Sequence, residues 1–240
     1  MAPASLQTVI LTREAEDNAE LAALLSDAGF AVEQYPCIET HYLRSPVPDF
    51  SVYDAIVFSS RRAVRGAFMN ADANSLSCRT LAVIGSGGAK ELELYGQNAS
   101  IIADPPDSAS LARRLCAMSG AFRRVLNIRG DLGLNTLRDR CTGAGIEVSD
   151  WIVYRNVAPK LAAFDGQADY VVFASPSAAD RFSAANPGLL HKMRCVAIGP
   201  TTLAALEKFD ASSVRMARGV EANDILECLL EWRSENETQL

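Results

Sequence analysis

Short continuous apolar runs mark this chain at near-regular intervals, and between them apolar positions recur at helical spacing. Residues 9–12 read as a buried strand, after which Leu21, Leu24, Leu25 and Ala28 fall on one helical face until Gly29 ends the pattern. Residues 30–34 resume an extended run. Pro36 punctuates it, and residues 37–42 continue extended into the loop Ser45-Pro46-Val47-Pro48. Residues 55–58 predict a strand followed by a helix over 62–69. Residues 81–84 predict another strand, turned by Gly85-Ser86-Gly87-Gly88 into a helix over 89–95. A short strand is expected at 100–103, and Pro105-Pro106-Asp107-Ser108 leads into a helix over 109–118. The pattern then gives a strand at 125–128, a helix at 132–142 ended by Gly145, and a strand from 147 onward. Residues 171–173, 196–198 and 213–216 read as later strands, each followed by a helical segment. Strands alternating with helices call for parallel sheets covered on both faces, in doubly wound α/β order.

The runs also repeat. Thr8-Val9-Ile10-Leu11-Thr12-Arg13 returns as Arg124-Val125-Leu126-Asn127-Ile128-Arg129, and Asp54-Ala55-Ile56-Val57-Phe58-Ser59-Ser60 returns as Asp169-Tyr170-Val171-Val172-Phe173-Ala174-Ser175. Leu81-Ala82-Val83-Ile84-Gly85-Ser86 is echoed by Cys195-Val196-Ala197-Ile198-Gly199-Pro200. Arg13 and Arg129 stand 116 positions apart, as do Gly29 and Gly145, while Ser60 and Ser175 stand 115 apart and Gly85 and Gly199 stand 114 apart. Chance likeness between apolar strands would not hold register over such a distance. The chain is therefore read as a duplicated α/β unit, and two similar lobes imply a cleft in which a ligand binds.

Composition narrows the setting. With 240 residues and 49% apolar content the chain can bury one large core or two modest ones, and the repeat favours two. Residues 1–7 carry neither a basic stretch nor an apolar one of the kind that directs export, and no apolar run approaches the roughly 20 residues of a membrane span. A cytoplasmic protein with no membrane partner is expected. Cys37, Cys78, Cys116, Cys141, Cys195 and Cys228 show no CxxC spacing, and His41 and His191 are too few and too distant to suggest a metal cluster. Reduced, mostly buried thiols and no bound metal are the expectation. A net charge of −6 argues against a nucleic-acid partner. Any anionic ligand must be held by local donors.

In doubly wound sheets ligands gather at the carboxyl ends of strands, where helix N-termini point. Arg13, Ser60, Gly85, Arg129, Ser175, Gly199, Thr201 and Thr202 all fall just past a predicted strand end. Each could serve only as a helix cap or tight-turn residue. As a set contributed by both halves, they point to a ligand.

Four strings carry a family resemblance: Tyr53-Asp54-Ala55-Ile56-Val57-Phe58-Ser59-Ser60, Val153-Tyr154, Phe173-Ala174-Ser175-Pro176-Ser177 and Ala197-Ile198-Gly199-Pro200-Thr201-Thr202. In this order on a duplicated chain they resemble the uroporphyrinogen-III synthase family, with the likeness running from Val9 to about Leu229. The resemblance implies two similar doubly wound parallel-sheet lobes joined by a two-stranded antiparallel connector. Repeat logic alone would cut the chain near residue 120. The family layout instead gives one lobe residues 1–36 plus 158–240 and the other 43–150, with 37–42 and 151–157 as connector strands. Ile38 and Tyr154, 116 apart, would hold equivalent places in that connector.

The substrate implied is hydroxymethylbilane, a linear tetrapyrrole with eight carboxylates, which loses water and closes with its last ring inverted. No cofactor is implied, because the pyrroles themselves carry the positive charge. By the same resemblance Tyr154 becomes the candidate acid for the departing oxygen. Arg13, Arg62 and Arg129 become candidate carboxylate partners, and Ser60, Ser175, Ser177, Thr201 and Thr202 candidate hydroxyl donors. In the turn Gly85-Ser86-Gly87-Gly88 a glycine stands where relatives often carry a threonine, so the side-chain role of that turn is in question and backbone N–H groups or Ser86 would take it over. The same turn lacks the spacing of a phosphate-binding loop. The chain is expected to act as a monomer on a small molecule. The rival reading is a non-catalytic two-lobed protein that closes on a small ligand, with a nucleotide-dependent transferase behind it.

Overall fold

The computed structural model of the protein describes residues 6–76, 79–118, 120–209, 211 and 213–237. Within them the chain runs β1 (Thr8–Leu11), α1 (Ala15–Asp27), β2 (Ala31–Gln34), β3 (Glu39–Tyr42), β4 (Ala55–Phe58), α2 (Arg61–Phe68), β5 (Thr80–Val83) and α3 (Ser86–Glu93). It continues through β6 (Ile101–Ile102), α4 (Ser108–Ala117), β7 (Arg124–Gly130), α5 (Thr136–Gly143) and the long β8 (Glu147–Val157). The last elements are β9 (Tyr170–Phe173), α6 (Pro176–Ala185), β10 (Arg194–Ala197), α7 (Pro200–Glu207), β11 (Ser213–Met216) and α8 (Ala222–Glu237). Among the described residues no helix is long and apolar enough to cross a membrane.

Two compact units divide the chain: one runs to Glu39 and resumes at Val157, and the other is Thr40–Asn156. The first unit holds a five-stranded sheet in the order β11-β10-β9-β1-β2, and every neighbouring pair is parallel. Its central strands are buried on both faces because side chains alternate across the sheet. Val9, Leu11, Tyr170 and Val172 join α1 and α8 residues such as Leu25 and Leu229 on one face. Ile10, Val171 and Phe173 meet Phe182 and Leu206 of α6 and α7 on the other.

The second unit is built on a six-stranded sheet, β3-β8-β7-β4-β5-β6, with parallel pairing from β8 through β6. Ile56 and Phe58 face α2, Trp151 and Val153, whereas Ala55 and Val57 face Leu111, Leu115 and Leu137. The edge strand β3 bonds to β8, and the following Leu43 amide donates to the Val153 carbonyl at 2.9 Å. The segment 151–157 is thus the second half of one 11-residue strand.

Three of the boundaries that differ from the pattern read along the chain bear on the site. Helix α3 starts at Ser86, so Gly87 and Gly88 lie in its first turn. A Cβ at Gly88 would sit 3.1 Å from Val83 Cβ, and the glycine allows that close approach. Strand β7 extends to Gly130, which puts Arg129 inside the strand and not after it. Helix α5 begins at Thr136, four residues beyond the expected 132. Leu132, Leu134 and Leu137 imitate helical spacing, but the first two lie in a loop whose carbonyls bond to the Arg129 side chain.

Candidate functional site

An open parallel sheet winds outward in two directions from one pair of neighbouring strands, and the loops at their carboxyl ends part there to leave a crevice. That pair is β7 and β4 in the six-stranded sheet, and β1 and β9 in the five-stranded one. Ser59 and Ser60 follow β4, Arg129 and Gly130 end β7, Thr12 and Arg13 follow β1, and Ala174 and Ser175 follow β9. Strand order therefore selects one group of residues in each unit.

In the second unit the register of β7 against β8 slips between Arg129 and Gly130, so that Gly130 faces Tyr154. The Tyr154 ring covers Gly130 so closely that a Cβ there would lie 2.4 Å from Cε2 and 2.9 Å from the hydroxyl oxygen. Tyr42 meets the ring edge-on at 6.4 Å, and only 8% of Tyr154 is exposed. Its hydroxyl lies 3.1 Å from Ser60 Oγ, which also accepts the Ala63 amide at 3.1 Å as the cap of α2. Beside Tyr154 lies a cavity of about 160 Å³ lined by Ser59, Ile84, Ser108, Asn127, Arg129, Gly130, Gly133, Leu134, Leu137 and Tyr154. Arg62 is half-buried in the first turn of α2, and Ser86 is exposed at the start of α3. Gly85 has φ +77 and lies before Ser86, with Pro106 Cβ 3.0 Å from where its own Cβ would be.

Arg129, a candidate carboxylate partner, is 5% exposed and lines this cavity, and its guanidinium is bonded within the unit. Its Nη1 donates to Asn135 Oδ1 at 3.1 Å and to Leu134 O and Asp150 Oδ2 at 3.4 Å, its Nε donates to Gly130 O at 3.2 Å, and its Nη2 donates to Gly133 O. Asp150 is further held by Asn127 Nδ2 at 2.8 Å and Arg138 Nη2 at 2.5 Å. An arginine within a strand points to one face or the other, and here it points into the unit.

In the first unit Ser175 caps α6, accepting the Ala178 amide at 3.3 Å, and its Oγ lies 3.2 Å from Ser177 Oγ. Pro176 at the first helical position suits this start. Gly199 and Pro200 open α7 the same way, with Thr201 exposed. Thr202, expected as a ligand donor, is 2% exposed because the first turn of α7 packs it away from solvent. Arg13 is half-buried, and its carbonyl accepts Asn18 Nδ2 at 2.9 Å.

Helix electrostatics favour an anion at these ends. The first turns of α2, α3, α6 and α7 carry no acidic residue, and α2 begins with Arg61 and Arg62, the sign its own dipole disfavours. The helices α1 (Glu16 and Asp17), α5 (Asp139) and α8 (Asp224) depart from this. Larger cavities of about 510 Å³ (by Val47, Phe50 and Arg79) and 320 Å³ (by Asp169, His191 and Arg194) open at the amino ends of strands. Size favours them; the strand order and the helix N-termini favour the carboxyl ends.

Burial pushes the thiols of Cys37, Cys141 and Cys195 up to about 12, with the neighbouring Cys116 adding to the shift at Cys141, which keeps all three protonated at neutral pH and removes them as nucleophiles. Cys78 lies outside the described residues. Among the described residues no group of histidine, cysteine and carboxylate side chains could hold a metal ion. The site residues missed in the sequence are Asn127, Gly130, Gly133, Leu134 and Asp150. Asn127 alone left a signal, as a polar residue inside an apolar strand run.

A family model described as Uroporphyrinogen-III synthase HemD matches residues 19–227. The chain is 25% identical over 220 residues to a uroporphyrinogen-III synthase of Chlorobaculum parvum, covering 85% of this chain and 89% of that one. Its fold is similar to the crystal structure of uroporphyrinogen-III synthetase from Helicobacter pylori, with a TM-score of 0.70 at 15% identity over 95% of this chain and 100% of the other. It is also similar to a mutant uroporphyrinogen III synthase from Thermus thermophilus, with a TM-score of 0.59 at 16% identity over 95% and 99% of the two chains.

Proposed function

The chain belongs to the uroporphyrinogen-III synthase family, and we propose that it is the cyclising lyase of that family, acting as a cytoplasmic monomer that converts hydroxymethylbilane to uroporphyrinogen III without a cofactor. The observation that carries this reading is the Tyr154 hydroxyl, held 3.1 Å from Ser60 Oγ at the switch point of the second unit's sheet.

The architecture proposed is a duplicated unit. Under the sequence repeat β1 corresponds to β7, β9 to β4 and β10 to β5, and the orders β2-β1-β9-β10-β11 and β8-β7-β4-β5-β6 then correspond strand for strand. We take residues 1–36 with 158–240, and 43–150, as the two lobes, with 37–42 and 151–157 as an antiparallel connector. The bond from Leu43 to Val153 supports that pairing.

Chemistry follows from the groups present. Tyr154 gives its proton to the hydroxyl of the substrate's hydroxymethyl group, water leaves, and an azafulvene cation remains. The substituted carbon of the last ring attacks this cation, the spiro intermediate fragments, and the ring recloses at its other carbon. That carbon then loses the proton which restores the phenol, so the net change is loss of one water. Ser60 can donate to the transient phenolate, since its own lone pair already accepts from Ala63 and the N-terminus of α2 favours negative charge.

Hydroxyls and amides at helix starts suit the eight carboxylates without adding net charge. We assign Ser60, Arg62, Ser86 and the amide of Gly85 to them in one unit, and Arg13, Ser175, Ser177 and Thr201 in the other. Arg129 and Thr202 we assign to support of the site. Spontaneous closure gives the uninverted macrocycle, and a hundredfold preference for inversion needs only about 2.7 kcal/mol. Positioning alone can supply that.

Incubation of hydroxymethylbilane with the protein, followed by chromatographic separation of the oxidised isomers, tests the reading. The inverted isomer is expected in excess. A product ratio equal to that of the protein-free blank would overturn it in favour of a non-catalytic binding protein.

A further inference from the structure

The loop at residues 131–135 has its backbone fastened from below and its apolar side chains left in solvent. Arg129, buried beneath it, donates to the carbonyls of Gly130, Gly133 and Leu134 and to Asn135 Oδ1. The Asp131 amide donates to the Tyr154 carbonyl at 3.2 Å, and Asp131 Oδ1 accepts the Asn156 amide at 3.1 Å. A charge is expensive to bury; that of Arg129 is paired with Asp150 at 3.4 Å, and its other donors hold the shape of a five-residue loop. Yet Leu132 and Leu134 on that loop are 59% and 80% exposed.

A single exposed leucine needs no explanation. Here there are two on a held loop, and Leu134 lines the cavity that also contains Tyr154 and Ser59. That cavity, at about 160 Å³, falls below the usual ligand-pocket range of roughly 300–1,000 Å³ and suits one part of a tetrapyrrole. The part that belongs beside a proton donor is the ring bearing the hydroxymethyl group. Its faces are apolar and its periphery is acidic, so an aliphatic contact beneath the face leaves the carboxylates to the helix N-termini.

We propose that residues 131–135 are a preformed platform on which Leu134, with Leu132 beside it, packs against the face of the hydroxymethyl-bearing pyrrole, and that Arg129 is the positioning residue that holds this platform in shape. The inference rests on the tetrapyrrole reading above and adds to it a subsite for one ring.

The test is steady-state kinetics on hydroxymethylbilane with wild type, the double variant L132S/L134S, R129K and the triple combination. Both leucines are exposed, so the double variant keeps the wild-type melting temperature. Its KM rises roughly tenfold, as loss of about one buried leucine contact requires. Lysine cannot span the same carbonyls, so R129K raises KM by a similar factor. Because Arg129 acts on substrate through the loop, R129K adds no further KM change in the double-variant background. A KM for L132S/L134S within twofold of a wild type that makes the inverted isomer overturns the platform, and so do effects of R129K and the leucine changes that multiply. Should wild type itself return the isomer ratio of the blank, the tetrapyrrole reading falls and the platform with it.

Discussion

Gly130→Ala puts one methyl group where the Tyr154 ring now lies. The backbone at Gly130 is outside the left-handed region, so alanine meets no conformational penalty and the whole effect comes from the contact. The new Cβ would stand 2.4 Å from Cε2, 2.5 Å from Cζ and 2.9 Å from the hydroxyl oxygen. To restore ordinary van der Waals distance the ring must retreat by about 1 Å, which carries the hydroxyl off its 3.1 Å contact with Ser60. Overpacking of this kind costs about 1–3 kcal/mol, or a fall of roughly 2–12 °C in Tm for a chain of this size. The larger effect falls on turnover, because a reacting group misplaced by about 1 Å loses on the order of 10²-fold. Tyr154→Phe, which removes the oxygen and leaves the ring, should lower kcat at least as far while costing only about 1 kcal/mol of stability. Circular dichroism melts and single-turnover kinetics on both variants separate the two effects. A folded Gly130→Ala protein with kcat within twofold of wild type would refute the assignment of Tyr154.

Further predictions concern the scaffold under the site. Arg65 and Glu91 form a two-pronged pair at 2.7 and 3.0 Å between α2 and α3, with the Glu91 side chain 7% exposed. Arg65→Met leaves that carboxylate buried without its guanidinium and should lower the unfolding free energy in urea by about 3 kcal/mol; a loss below about 0.5 kcal/mol would show the pair to be superficial. The Asp54 carboxylate accepts the amides of Arg124 and Arg123 at 2.9 and 2.7 Å, and these bonds hold its pKa below the usual range. Because the folded value is the depressed one, the stabilisation is complete above the unfolded pKa of about 4 and is lost as pH falls through the folded value. Asp54→Asn should therefore lower Tm at pH 7 and converge on wild type as pH falls below the folded value; a constant gap down through acid pH would contradict the linkage.

Legibility in the sequence followed how local each cause was. The strand β4 matched its apolar run residue for residue, because a strand buried on both faces leaves nothing polar to blur its ends. The start of α5 differs from the pattern because Leu132, Leu134 and Leu137 share helical spacing, whereas the backbone there answers to Arg129, a side chain from the preceding strand. Arg129 itself stood at a strand end in the sequence and invited a ligand role; only its pairing with Asp150 and the loop carbonyls shows where it points. The closeness of Ser60 and Tyr154, 94 residues apart, arises from sheet order and from a register slip at Gly130. Neither has a local signature. Gly130 looks like any glycine after a strand, and its meaning appears only with the ring above it.

The most direct test of the account is to titrate the amide-labelled protein anaerobically with uroporphyrinogen III and map the backbone chemical-shift changes. The largest changes are expected at the carboxyl ends of the strands, at Ser60, Gly85, Ser86, Gly130 and Leu134 in one unit and at Arg13, Ser175 and Thr201 in the other. Changes gathered instead at the amino ends, around Arg79 or around Asp169 and Arg194, would contradict it.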